Sequence, residues 1–145
     1  MYKHLLIATD GSALAQKAVD HGLALAKALQ AQATVITVTE PWDVVVVPEA
    51  AIVFPPAGYE EGVATEAARI LAGVNDTASK LGTSCATLHV KDRYPAEGIV
   101  ETAKQKECDL IVMASHGRRG VRRLILGSAA IEVVTHSSIP VLICR

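Results

Sequence analysis

The sequence predicts an α/β protein, a mostly parallel five-stranded sheet with helices on both faces. Three observations predict it. Short, nearly all-apolar runs alternate with longer stretches whose apolar residues recur at helical spacing, in the order βαβαβαβαβ. Hydrophobic residues make up 50% of the 145, enough for a sizeable core. Only 3% are aromatic, so that core is Ala, Val, Leu and Ile, as suits helices packed on a buried sheet. No internal repeat, linker or low-complexity tract divides the chain, and residues 1–145 read as a single domain.

The elements follow in order. His4 to Thr9 is the first strand. Asp10-Gly11-Ser12 ends it, and Ser12 is placed to cap a helix running to about Gln30. Ala15, Ala18, Val19, Gly22, Leu23, Ala26 and Leu29 form that helix's core face. Ala33 to Thr39, rich in β-branched residues, is the second strand. Glu40 to Tyr59 breaks the rhythm, with Pro41, Pro48, Pro55 and Pro56 punctuating the apolar stretch VVVVPEAAIVF. The prolines argue against a core strand and the apolar content against disorder. Residues 41–58 are then a lid over a ligand, a partner-facing surface or a loop packed on the protein's own core. The second helix spans about Glu60 to Leu81, with Ala64, Ala67, Ala68, Leu71, Val74, Ala78 and Leu81 inward and Gly82 suited to C′. Thr83 to Val90 is the third strand. Pro95 opens the third helix, which continues to about Lys106 with Ala96, Ile99, Val100 and Ala103 inward. Asp109 to Ala114 is the fourth strand. Gly127-Ser128, with Ser128 as cap, lead into a fourth helix ending near His136-Ser137, and Pro140 to Cys144 is the last strand.

Charge and composition exclude several classes. Fourteen basic and fifteen acidic residues leave a net charge of −1, with no global field for nucleic acid or an anionic membrane. No apolar run approaches the roughly 18 residues of a membrane span. The N-terminal MYKHLLIATDGS reads as a strand, not a signal peptide. Cys85, Cys108 and Cys144 show no CxxC spacing, which argues against a disulfide framework or zinc site and points to a reducing cytoplasm. The histidines share no metal-ligand spacing.

The stretch Asp109 to Ser128, DLIVMASHGRRGVRRLILGS, organises the rest. A buried strand runs into the small-residue turn Ala114-Ser115-His116-Gly117, then a basic loop, then a helix start. This arrangement points main-chain N–H groups at an anion. Open parallel sheets bind ligands beyond the carboxyl ends of their strands. If strands one and four are neighbours, Asp10, Val38 and Ala114 to Gly117 meet at one edge. They would supply a carboxylate, a main-chain strip against a flat ring, and a phosphate cradle. Of Arg118, Arg119, Arg122 and Arg123, two are expected to touch phosphate. His116 has no partner base or nucleophile in sequence, and a hydrogen-bonding role suits it.

LLIATDGS, PAEGIVETA, DLIVMASHG and LILGS…IPVLICR resemble the universal stress protein family over essentially the whole length. Its nucleotide-binding members carry Gly, two residues, Gly, nine residues, then Gly-Ser or Gly-Thr. Here Ala114 stands for the first glycine, and Gly117, Gly127 and Ser128 complete the pattern. The departure matters if position 114 needs positive φ or lacks room for a methyl. The resemblance implies strand order 3-2-1-4-5. It implies Asp10 near ribose and phosphates, Val38 recognising adenine through its backbone, and Met113 and Ala114 flanking the sugar. Gly117, Gly127, Ser128 and Ala129 would contact phosphate. ATP, or ADP or AMP, with Mg²⁺ or Mn²⁺ against the phosphates, is the implied ligand.

The leading expectation is a dimeric, nucleotide-dependent stress regulator with an unknown protein partner. The apolar terminal edge strand, 140–145, invites pairing with a second copy, and the family commonly dimerises through it. A slow ATPase or phosphoryl-transfer enzyme and a nucleotide-free interaction module are the alternatives. The chain lacks GxxxxGK[ST], and no general base is evident, so any hydrolysis would be slow or partner-assisted.

Overall fold

The computed structural model describes residues 1–42, 54–118 and 125–145. The 41–58 expectation therefore falls largely outside the described residues, as do Arg119, Arg122 and Arg123. The strands are β1 (His4–Ala8), β2 (Gln32–Thr39), β3 (Ala86–Lys91), β4 (Leu110–Ala114) and β5 (Val141–Cys144). The helices are α1 (Ala13–Leu29), α2 (Tyr59–Lys80), α3 (Pro95–Gln105) and α4 (Ser128–His136). All five strands are parallel, in the order β3-β2-β1-β4-β5. β1 and β4 are neighbours, with Ile7 opposite Val112.

Strand periodicity divides the core in two. Leu5, Ile7, Ala33, Val35, Leu110 and Val112 pack with Val19, Leu23 and Ala26 of α1 and Val74 and Ala78 of α2. Leu6, Ala8, Ile36, Ile111 and Met113 pack on the other face with Ile99 and Ala103 of α3 and Val133 of α4. Small residues set the helix-to-sheet distance. A Cβ on Gly22 would stand 2.7 Å from Ile7 Cδ1, so the α1 backbone lies directly on β1. The edge strands are less covered, and every residue of β5 is half-buried.

Local signals act where the sequence placed them. Ser12 caps α1, its hydroxyl accepting from the Ala15 amide at 3.2 Å. Pro95 opens α3, and Gly82 follows α2 with φ +64°. Four expectations need correction. Leu29 is 38% exposed, because a seven-residue repeat drifts by about 20° per heptad and carries position 29 off the line of Ala15 and Gly22. Ala68 is exposed, since α2 covers an edge of the sheet and buries only the narrow line Ala67, Val74, Ala78. β3 starts at Ala86 and not Thr83, whose amide instead closes the α2 terminus on Ala78 O. Ser128 is the first helical residue of α4 and Gly127 the N-cap, for reasons given below. Among the described residues no helix is long and apolar enough to cross a membrane.

Candidate functional site

Asp10 joins two turns at the carboxyl end of the sheet. After β1 the chain bends through Gly11, at φ +79°, where glycine carries no steric penalty. Asp10 Oδ1 accepts from the Ser12 amide at 2.9 Å, and Oδ2 accepts from the Arg118 amide at 2.8 Å. One carboxylate thus ties the start of α1 to the turn after β4, across 108 residues of sequence. Gly117 sits against it: a Cβ there would lie 2.7 Å from Asp10 Oδ2.

The turn after β4 is fixed from the other side as well. Ser115, buried, donates its amide to Cys144 O at 2.7 Å and accepts from the Gly127 amide at 2.8 Å. Its hydroxyl lies 3.1 Å from His116 Nδ1, the local hydrogen-bonding role expected of that histidine. The Ser115–Gly127 contact is tight enough that a Cβ on Gly127 would stand 3.0 Å from Ser115 O and 3.4 Å from His116 Cα. This explains the cap. Gly127 is pinned in extended conformation (φ −64°, ψ 159°) and its carbonyl accepts the first helical bond, from Ile131. The helix therefore starts at Ser128, whose hydroxyl takes no part in capping. The amides of Ser128, Ala129 and Ala130 precede that first bond and find no acceptor among the described residues, as the geometry of a helix start dictates. Ser128 is exposed, while Ala129 is half-buried against the α3–α4 core.

Ala114 answers the question raised by its methyl. It is the last residue of β4, opposite Cys144, and is not among the positive-φ residues. Its side chain packs with Ala15 and Ala18 of α1. A methyl is accommodated at this position. Met113 is buried in the opposite core, so what it offers at the strand end is main chain.

Val38 lies where β2 outruns β1. Ladder pairing stops at Ala8 opposite Ile36, and the last bond between the strands is the Thr9 amide to Ile36 O at 2.9 Å. Period-two alternation turns the main-chain groups of Val38 to the same side as those of Ile36, beyond the end of β1. The Val38 side chain packs under α3, where a Cβ on Gly98 would approach its Cγ1 to 2.9 Å.

Arg118 departs from the simple cradle. Its amide is on Asp10, but its guanidinium crosses Gly11 and meets Glu66 of α2 at 3.1 Å. Glu66 also binds Arg69. Hydrogen bonds from Arg69, then Arg118, hold the Glu66 carboxyl down at about 2. Nothing in the sequence singled out Glu66. Its i, i+3 spacing from Arg69 was visible, but its contact with residue 118 is made only by the fold.

Asp10, Val38, Met113, Ala114, Gly117, Gly127, Ser128 and Ala129 thus gather where β1, β2 and β4 end and α4 begins. Together they present main-chain groups without acceptors among the described residues, a carboxylate and a helix N-terminus, a set suited to a ligand with a flat polar ring and a negatively charged tail. Among the described residues there is no group of three or more His, Cys, Asp or Glu side chains that could hold a metal ion.

Comparison with known proteins agrees with this architecture. The model of the universal stress protein family matches residues 1–145. The chain is 32% identical over 149 aligned positions to the universal stress protein YxiE of Bacillus subtilis (strain 168), covering 100% of both sequences. Among solved structures it is similar to the universal stress protein UspA from Lactobacillus plantarum, with TM-score 0.79 and 26% identity over 99% of this chain and 98% of that one. It is also similar to a universal stress protein crystallised in complex with cAMP, with TM-score 0.70 and 26% identity over 99% and 97% of the two chains.

Proposed function

The chain belongs to the universal stress protein family, and on that premise we propose that it binds an adenine nucleotide, ATP foremost, and acts as a dimeric nucleotide-dependent regulator in the stress response. The observation that carries the reading is the joint between the β4 turn and α4. There Ser115 O holds the Gly127 amide at 2.8 Å, and the next three amides are left without acceptors among the described residues. A phosphate tail supplies such acceptors, and the partial positive charge of the helix start favours it. Val38 would offer main-chain groups to adenine beyond the end of β1. The similar protein crystallised with cAMP adds support for an adenine ligand.

Asp10, Met113 and Ala114 would flank the ribose, and Gly117, Ser128 and Ala129 the phosphates. Both Asp10 oxygens already accept main-chain amides. A Mg²⁺ or Mn²⁺ ion would therefore be held chiefly by phosphate oxygens, whose charge it would offset. The sequence offers no evident general base for hydrolysis, so the reading is a binding switch with at most slow hydrolysis.

The dimer reading rests on β5. It is an edge strand, Val141 and Ile143 are half-buried on the α4 side, and Ile131 and Val134 of α4 are 46% and 49% exposed. A cytoplasmic location accords with three free cysteines.

The test is direct. Protein purified without added nucleotide is denatured in acid and the supernatant chromatographed, and stripped protein is titrated calorimetrically with ATP and Mg²⁺. Saturable binding at one site per chain is expected, weakened in Asp10→Ala. Absence of both retained nucleotide and binding heat would refute the reading and leave the interaction module.

A further inference from the structure

Arg118 is held at both ends by carboxylates. Its amide is fixed on Asp10 Oδ2 at 2.8 Å, and its Nη2 meets Glu66 Oε1 at 3.1 Å. The path between them crosses Gly11, where a Cβ would stand 3.1 Å from Nη2 and 2.9 Å from Ile70 Cδ1. Glu66 has a second and closer partner. Arg69, on the next turn of α2, donates Nε to Oε2 at 2.9 Å and Nη2 to Oε1 at 2.7 Å. Arg118 thus makes the longest of three bonds and shares its acceptor oxygen with a nearer donor. All three side chains are exposed, where an ion pair is weak and exchanges readily. A phosphate offers a guanidinium more charge and a bidentate match.

We propose that Glu66 is a positioning residue of the site: its carboxylate competes with nucleotide phosphate for Arg118, and Arg69 weakens that competition by keeping Glu66 occupied. The Arg118 amide on Asp10 is the pivot. Transfer of the guanidinium from Glu66 to phosphate releases the turn after β4 from α2, while Glu66 stays paired with Arg69. Nucleotide charge is thereby read at α2, the helix that follows the proline-rich connection. The inference rests on the nucleotide reading above and adds to it a competitor inside the chain.

The two substitutions on α2 should act in opposite directions. Calorimetric titration with ATP and Mg²⁺, and separately with adenosine, is carried out on wild type, Glu66→Gln, Arg69→Ala, Arg118→Ala, and the double variants with Arg118→Ala. Glu66→Gln should bind ATP about two- to fivefold more tightly, the range an exposed ion pair allows. Arg69→Ala should bind it more weakly by a similar factor, because both Glu66 oxygens then turn to Arg118. Adenosine affinity should not move, and both effects should vanish without Arg118. Unchanged affinities overturn the proposal, as do shifts of the same sign, equal shifts with adenosine, or shifts that persist in the Arg118→Ala background. Failure of wild type to bind ATP at all overturns the nucleotide reading instead, and is seen before any variant is made.

Discussion

Placing a carboxylate at position 128 separates binding from folding. Ser128 is exposed, begins α4, and contributes nothing to its cap. Ser128→Asp therefore removes no hydrogen bond to the described residues. It adds a negative charge to a helix N-terminus, which stabilises a helix by about 0.3–1 kcal/mol. Against a bound phosphate the same charge is repulsive, and it competes for the amides of Ser128, Ala129 and Ala130. At a separation of about 5 Å, two unit charges repel by roughly 0.8 kcal/mol at the dielectric of water and about 3.3 kcal/mol at an effective value near 20. Converted at about 1.4 kcal/mol per tenfold, ATP should bind between about fourfold and a few hundredfold more weakly.

The assay pairs calorimetry with thermal unfolding. Ser128→Asp should keep or raise the unfolding midpoint while losing ATP, and Ser128→Asn, neutral and similar in size, should lose far less. Adenosine, lacking phosphate, should bind wild type and Ser128→Asp alike. The loss should shrink as salt rises and screening shortens to a few ångströms. A folded Ser128→Asp protein that binds ATP as tightly as wild type would refute the assignment of phosphate to α4.

The remaining predictions concern stability and assembly. Gly127→Ala puts a methyl 3.0 Å from Ser115 O and should cost about 1–3 kcal/mol in urea unfolding, as overpacking against backbone does. It therefore perturbs the fold as well as the cradle. The Glu66 carboxyl, lowered from 4.5 to about 2 by Arg69 and then Arg118, is depressed in the folded state. Its contribution is full above about pH 4.5 and is lost as pH falls towards 2, and Arg69→Ala should raise its NMR titration midpoint more than Arg118→Ala does. Burial, then the Asp109 charge, pushes the Cys108 thiol up to about 11. Its neutral form is favoured in the fold, so this effect leaves stability unchanged below pH 9 and lowers it between 9 and about 11, and Cys108→Ala should flatten that alkaline slope in pH-dependent urea unfolding. Paired Ile131→Glu and Val134→Lys changes on the exposed side of α4 should shift sedimentation from dimer to monomer without lowering the unfolding midpoint.

What could be read from the sequence was what neighbours along the chain decide. The apolar run of β4, the helical stripes of α1 and α3, Ser12 before α1 and Pro95 at the start of α3 each act within a few residues, and each is found in place. Strand order came from resemblance and not from any local signal. Leu29 and the start of β3 are corrected by local geometry, helical drift and the closing of α2 on Ala78 O, whereas the α4 cap is decided by a distant contact. Gly127-Ser128 is a cap under two settings, and the Ser115 carbonyl chooses the glycine. The Arg118 guanidinium rests on Glu66, 52 residues away in sequence, a contact that no local pattern announces.

The glycine pattern itself gains a different physical meaning. A Cβ on Gly117 would stand 2.7 Å from Asp10 Oδ2 and one on Gly127 3.0 Å from Ser115 O, so both positions are tight for a side chain. Both constraints belong to the joint between the β1 turn, the β4 turn and α4, and operate on the protein's own atoms. Position 114 is outside that joint, ends its strand in ordinary geometry, and turns its methyl to Ala15 and Ala18, so alanine serves there. The pattern is then a requirement for bringing a helix start against a strand-end turn. That close approach starts α4 at Ser128 and leaves the Ser128, Ala129 and Ala130 amides without acceptors among the described residues, and a chain that kept the glycines but placed a negative charge at 128 would keep the joint and disfavour the proposed anion.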